Sequence, residues 1–412
     1  MYDNIILSDN VVLEGGFKKN MNCLVLGIPG SGKTRGHILP NLCNMENSSA
    51  VLLDPKGELY QLTAGMMKER GFVVKLVDFD TPENPESLFY NPLSYCKTSD
   101  DIISVTRILL NDDLDKSKDP FWPNSAQLLA NALIGYLVFE TRDDDRNFKG
   151  LIKLLKAFEL PNDLNSQTTL DVMFSSLKAK TPDAWHVEQY ELLKKVTGAD
   201  KTYACIVMSL ITAFSNIMSD GIKQLTSKDT LNIKSIGQQK TILYIKSSDS
   251  DRSRDKLISI LFQQIFTELF HEADSSPNNT LNVHTHLYLD DLGTNLTIYN
   301  LDGYLAACRS REISVSVILQ SVGQLQKQFG DAYTAILGSC ASLIFLGSND
   351  INTCYEMALR LNKPLGNVLY KDINDIFVFT QGESAKKTHV YDVKKHPNYY
   401  MLNDFKLKTV IR

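Results

Sequence analysis

Eight consecutive residues, Gly27-Ile28-Pro29-Gly30-Ser31-Gly32-Lys33-Thr34, satisfy the pattern G-x-x-x-x-G-K-[ST] in full. Each residue type has a task at a polyphosphate. Glycines let the backbone curl until successive N–H groups point at phosphate oxygens. The helix expected to follow adds the positive end of its dipole. Lys33 can reach the β- and γ-phosphates, and the Thr34 hydroxyl can ligate Mg²⁺. A chance Gly-rich turn is the competing account, and the apolar strand before the motif and the helical run after it argue against that. Gly27, Pro29, Gly30, Ser31, Gly32, Lys33 and Thr34 are therefore expected to cradle ATP.

A second constellation is Leu287-Tyr288-Leu289-Asp290-Asp291, an apolar run that ends in two carboxylates. Beside a phosphate loop, one such acid holds Mg²⁺ and its neighbour orients or deprotonates the attacking water. Asp290 is assigned to the metal and Asp291 to the water. A strand end capped by turn-forming aspartates is the plainer alternative. Gln320 closes the apolar run 314–319. At the C-terminal end of a central strand it would face the ligand crevice, within reach of the γ-phosphate or its water. An ordinary strand-end glutamine fits equally well. Arg309 and Arg311 lie between these two sets, and either could be offered to a neighbouring subunit's nucleotide as an arginine finger. His284 and His286 share one face by strand alternation. With no third ligand nearby, solvent-facing histidines are expected there rather than a metal pair.

The elements that must position these residues fall into three regions. Residues 1–100 alternate strand runs (22–26, 50–53, 72–77) with helical ones (after the loop, and 58–71). That alternation predicts a parallel α/β sheet. Residues 101–230 carry helical spacing in 102–110, 126–139, 151–158 and 203–218, with almost no strand signal. They read as an all-α domain set into the first. Residues 231–412 return to α/β, with strands at 241–245, 287–289, 314–319 and 342–346 and one broad apolar helix face across 257–269. The basic tail beyond Lys386 reads as a partly ordered, solvated terminus.

Composition sets limits on function. Hydrophobic residues make up 43% and charged residues 22% of the 412, as in ordinary globular chains. No apolar run approaches the roughly 18 residues of a membrane span, and the N-terminus lacks the blocks of a signal peptide. The seven cysteines form no close pairs, which predicts reduced thiols in a cytoplasmic protein. A net charge of −5 argues against coating DNA by bulk electrostatics but leaves room for a local basic lining.

Taken in order, several segments resemble the TraG-type coupling proteins of conjugation and type IV secretion, in their Gram-positive conjugative-element form. The anchors are Asn22-Cys23-Leu24-Val25-Leu26-Gly27, Asp54-Pro55-Lys56-Gly57-Glu58-Leu59, Asp119-Pro120-Phe121-Trp122, Leu289-Asp290-Asp291, Arg309-Ser310-Arg311-Glu312-Ile313-Ser314, Ile318-Leu319-Gln320-Ser321 and Phe345-Leu346-Gly347-Ser348-Asn349-Asp350. The resemblance implies a RecA-like P-loop ATPase related to FtsK-type translocases, carrying an all-α domain. It implies homo-oligomers, in the family hexameric rings, at the cytoplasmic face of the membrane. These pass single-stranded DNA with its relaxase, or a protein substrate, to the secretion channel. It also implies that Arg309 is the trans-acting finger and Gln320 the γ-phosphate sensor. The family usually has Asp-Glu where this chain has Asp290-Asp291, and one methylene of lost reach can cost on the order of a hundredfold in rate. Slow or assembly-dependent hydrolysis is expected. Members usually begin with a membrane anchor, so a separate anchor subunit or a truncated chain is expected here. The alternatives are an ATP-binding receptor or adaptor with little turnover, and a generic FtsK-like DNA translocase.

Overall fold

Short runs of Val, Ile and Leu become strands wherever both of their faces can be covered, and the chain is organised around them. The computed structural model describes residues 2–116, 121–156, 167–197, 200–215, 218–248, 251–290, 292, 296 and 298–403. Two compact units emerge: Met1–Val77 with Asn232–Arg252 and Ile265–Arg412, and Asp78–Leu231 with Ser253–Gln264.

In the first unit, β1 (Ile5–Ile6) and β2 (Val12–Leu13) form a small antiparallel hairpin. The main sheet is built from β3 (Cys23–Gly27), β4 (Ser49–Asp54), β5 (Val73–Asp78), β6 (Thr241–Lys246), β7 (Thr285–Leu289), β8 (Ile313–Leu319), β9 (Ser342–Gly347), β10 (Asp375–Thr380) and β11 (Lys386–His389). Their spatial order is β11-β10-β9-β3-β8-β7-β4-β6-β5. From β9 to β6 the neighbours run parallel, while β10 and β11 turn antiparallel at one edge. Central parallel strands are buried on both faces, which is why β3 and β4 read as near-continuous apolar runs. One face packs against the hairpin, the helix Leu39–Asn44 and the helix Glu58–Glu69, around Val25, Ile38, Leu42, Leu52, Met67 and Tyr244. Buried Asn22 fastens the start of β3: its amide donates to Leu305 O at 3.0 Å, and its carbonyl accepts from Val315 N at 3.0 Å.

The order of β3, β8 and β7 has a functional consequence. It sets the C-terminal ends of the strands that carry the phosphate loop, Gln320 and Asp290 side by side. The seven strands expected from the sequence are all present. The tail beyond Lys386 departs from expectation. It adds β11 to the sheet edge, with Lys387 paired to Asp375 at 2.6 Å and Lys395 to Asp9 at 3.2 Å. Its lysines point outward while Thr388 is buried, as befits an edge strand that must not recruit another chain.

The second unit is helical. The apolar helix Phe121–Glu140 lies at its centre, flanked by Ser99–Lys116, Phe148–Lys156, Thr169–Lys180, Trp185–Thr197 and Asp200–Ser215. Gly135 lets the helix bearing His186 close in, since a Cβ there would meet the His186 Cβ at 2.5 Å. Thr168 and Asp171 form a reciprocal cap on Thr169–Lys180, and Phe174 stacks on Tyr190 at 4.2 Å. Asp119 and Pro120 lie outside the described residues.

Candidate phosphate-loop site

The loop leaves β3 at Gly27, and nothing larger fits there. An added Cβ would lie 2.3 Å from Ser31 Oγ and 3.1 Å from Leu346 Cβ. Gly30 and Gly32 hold φ of +78° and +91°, which disfavours side chains and curls the backbone into a cradle. Ile28 N–H donates to Gly347 O at 3.2 Å, so the end of β9 forms one wall. Lys33 folds back across the loop, its Nζ donating to Gly27 O at 2.7 Å and to Ile28 O at 3.4 Å. Ser31 Oγ is buried without a hydrogen-bond partner, as suits a hydroxyl that awaits an outside acceptor.

Acidic and polar strand ends close around this cradle. Thr34 Oγ1 donates to Asp290 Oδ2 at 3.3 Å, which brings together the two residues expected to hold the metal. Two adjacent oxygen ligands of an octahedral Mg²⁺ stand about 3 Å apart, so the pair is spaced for one ion. Among the described residues no cluster of three His, Cys, Asp or Glu side chains could hold a metal alone. Mg²⁺ itself takes one or two protein oxygens and draws the rest from phosphates and water. Gln320 follows the Leu26–Leu319 register pair, so it stands beside Gly27. Its backbone N–H donates to Gln324 Oε1 at 2.9 Å. Asp291 lies outside the described residues. Asp54 ends β4 and caps the next helix, accepting from Tyr60 N at 2.8 Å and Leu59 N at 3.2 Å. Burial raises its pKa to about 6 against the pull of those N–H groups.

The helix after the loop opens on a wide π turn, Thr34–Ile38, before settling into Leu39–Asn44. Pro40 explains this, because it offers no N–H to Gly36 O and its ring would crowd that carbonyl. Val390, just past β11, packs on this turn. A Cβ at Gly36 would come within 2.2 Å of Val390 Cγ1. Sequence reasoning missed this contact because it discounted the tail.

It also misplaced two histidines. His284 and His286 are not solvent-facing: their side chains are 10% and 5% exposed. The helix carrying the phosphate loop covers that face of the sheet. Together with His37 they meet serines of β8. His284 Nε2 lies 2.8 Å from Ser314 Oγ, and His286 Nδ1 2.6 Å from the same oxygen. His286 Nε2 lies 2.8 Å from Ser316 Oγ, and His37 Nε2 2.9 Å from it. Burial drops the pKa of His37 to about 4 and that of His286 well below its ordinary value. The available signal was polar alternation, His284/His286 against Ser314/Ser316, inside otherwise apolar strands.

Arg309 and Arg311 are not brought to the loop of their own chain. Both precede β8, at the opposite edge of the sheet, with about 23 Å of strand between. The structure separates the two. Arg311 binds Asp274 with two hydrogen bonds, at 2.8 and 3.0 Å, and lies over the Phe270 ring at 4.6 Å. Arg309 is exposed and makes no hydrogen bond or ion pair among the described residues.

A complete phosphate loop on an inner strand of a largely parallel sheet, with an acidic strand end at its mouth, defines a RecA-like P-loop fold. Residues 5–392 match the family described as Type IV secretory system Conjugative DNA transfer, and the chain belongs to that family. Its fold is similar to that of the plasmid coupling protein TrwB in complex with ADP and Mg²⁺. That match has a TM-score of 0.65 and 16% identity, over 91% of this chain and 86% of that one. The TrwB complex with the ATP analogue ADPNP gives a TM-score of 0.65 and 15% identity, over 91% and 86% of the two chains. VirB4 of Thermoanaerobacter pseudethanolicus is similar at a TM-score of 0.53 and 13% identity, over 97% of this chain and 98% of that one. No curated protein sequence matches. Among the described residues no helix is long and apolar enough to cross a membrane.

Proposed function

We propose that this chain is an ATP-hydrolysing coupling protein that recruits a DNA–relaxase or protein substrate and drives it to a type IV secretion channel. One observation carries the reading: Thr34 meets Asp290 at the mouth of a complete phosphate loop, in a chain that matches the conjugative DNA-transfer family along nearly its whole length. The TrwB complexes with ADP–Mg²⁺ and ADPNP support ATP and Mg²⁺ as the ligands here.

Loop N–H groups and Lys33 bind the phosphates, and Lys33 offsets charge that builds on the γ-phosphoryl oxygens. Thr34 and Asp290 would hold Mg²⁺, which when bound would neutralise phosphate charge. Asp291 orients the attacking water, and Gln320 reports the γ-phosphate from its place beside Gly27. Arg309 completes the site of the next subunit in a homo-oligomeric ring, which we take to be hexameric. The far-edge position of Arg309, and its lack of side-chain partners among the described residues, favour a trans role. The ring works on the cytoplasmic side of the membrane, docked on channel subunits. Residues 101–230 serve as an inserted all-α domain.

The test is the ATPase rate with and without single-stranded DNA, for the native chain and for Lys33→Ala and Arg309→Ala. DNA stimulation in the native chain, lost in both variants, is expected. Nucleotide binding without turnover, even with enforced oligomerisation and an added membrane partner, would replace the motor with a receptor.

A further inference from the structure

The histidine–serine contacts beneath the loop helix join into one chain. Beyond His284, its Nδ1 lies 3.3 Å from Glu312 Oε2. Glu312 is 4% exposed, and its other oxygen accepts the Lys18 backbone N–H. Residue by residue the path is Glu312, His284, Ser314, His286, Ser316, His37. It starts in the turn that carries Arg309 and ends one turn beyond Thr34.

Hydrogen-bond accounting leaves no gap along this chain. Each serine hydroxyl bridges two imidazoles, donating to one ring nitrogen and accepting from the other. Beyond Ser316 the last ring, His37, is buried and meets the Ile6 backbone.

One feature sets this apart from a core that merely satisfies its own polar groups: its end at the arginine turn is held in tension. Glu312 sits at φ +62°, a left-handed conformation that its side chain disfavours, and its carboxylate bonds hold it there. Buried chains of this kind are stiff, because each bond polarises the next in low dielectric.

We propose that this hydrogen-bonded chain is a positioning device that transmits nucleotide binding at the phosphate loop to the Arg309–Glu312 turn. A subunit that has bound nucleotide thereby sets the arginine it presents to its neighbour. The inference rests on the proposed trans role of Arg309. His37, His286 and Ser316 touch no reacting atom and act through Lys33, Thr34 and that turn.

The experiment uses the full chain and reads the coupling without relying on turnover. Amide hydrogen exchange is followed with and without ADPNP and Mg²⁺, for the native chain, Ser316→Ala, Ser316→Thr and Ser342→Ala. Ser342 is a buried β9 serine outside the chain. In the native chain, nucleotide should slow exchange at Arg309–Glu312 by about fivefold or more. Ser316→Ala should abolish that response while ADPNP affinity stays within about twofold, and should lower the kcat of the assembled ATPase on the order of tenfold. Ser316→Thr, which keeps the hydroxyl, and Ser342→Ala should behave as native. A native chain that hydrolyses ATP but shows no nucleotide response at Arg309–Glu312 overturns the coupling and leaves the motor standing. A response without hydrolysis keeps the coupling and removes the motor. A response that survives in Ser316→Ala, with only the melting temperature lowered, makes the chain a packing feature.

Discussion

The two ends of β8 are built by different means. At its C-terminal end, beside Gly27, the working groups are largely backbone: curled glycines, N–H groups and a helix start. At its N-terminal end the geometry rests on side chains. Glu312 is pinned by His284 and Lys18, Arg311 is tied to Asp274, and Arg309 alone among the two arginines is free to leave. A cradle made of backbone must be preformed, since it cannot rearrange without unmaking the strand end. A turn made of side chains can hold one residue in reserve for another chain. The two ends should therefore fail differently when broken.

The largest effect should come from the N-terminal end. Arg309→Ala should lower kcat in the assembled state by roughly 10³-fold or more, the range of an arginine finger. Its melting temperature should not move, because the side chain is exposed and bonded to nothing described. Lys33→Ala and Arg309→Ala chains, each inactive alone, should regain part of the activity when co-assembled. Some interfaces then pair an intact loop with an intact arginine. If mixing restores nothing, Arg309 does not act across subunits.

At the loop end, Lys33→Ala should reduce kcat by roughly 10²- to 10³-fold, the cost of losing one preorganised positive group at a developing anion. The fold should survive, since among the described residues Lys33 bonds only to loop carbonyls. Isothermal titration with ADPNP and Mg²⁺ checks the companion effect, weaker binding. Unchanged affinity together with unchanged kcat would remove Lys33 from the phosphate site.

This asymmetry also decided what could be read from the sequence. Backbone-built sites need glycines at fixed spacing, so Gly27 to Thr34 announced itself and predicted the strand before it and the helix after it. Asp290 was legible because it ends an apolar run, and the parallel sheet followed from the alternation of runs. The His–Ser chain had no such spacing. His284 and His286 sit across two strands from Ser314 and Ser316, and only the β7–β8 register makes them neighbours. Their burial depended on a helix that covers that face, which no local pattern states. The edge strand Lys386–His389 was hidden for a similar reason: its lysines solvate one side, and its pairing partner Asp375–Thr380 was not read as a strand either.

Gly36 tests how tightly the loop end is packed. Because Val390 Cγ1 occupies the place of a Cβ there, Gly36→Ala should cost about 1–3 kcal/mol of stability through overpacking. It should also raise the KM for ATP by shifting the turn that follows Thr34. Adding Val390→Ala should recover most of both losses. If Gly36→Ala is harmless and the second change makes matters worse, the tail does not brace the loop helix.

The smallest expected effect is in acid, and its sign can be worked through. His37 has its pKa lowered by burial from 6.5 to about 4. The stability it contributes by staying neutral is therefore complete above pH 6.5 and is lost as the pH falls toward 4. By pH 5 that loss is about 2 kcal/mol at roughly 1.4 kcal/mol per unit. His286, also lowered, acts in the same direction. Asp54 opposes them. Its pKa is raised from 3.8 to about 6, so the folded state takes up a proton before the unfolded one. Stability is regained as pH falls below 6, by about 1.4 kcal/mol at pH 5. Urea denaturation of the native chain at pH 7 and pH 5 should thus show a modest net loss. Asp54→Asn, which removes the opposing titration, should show a loss steeper by about 1.4 kcal/mol. Equal stability at the two pH values in Asp54→Asn would mean that burial does not hold His37 and His286 neutral beneath the loop helix.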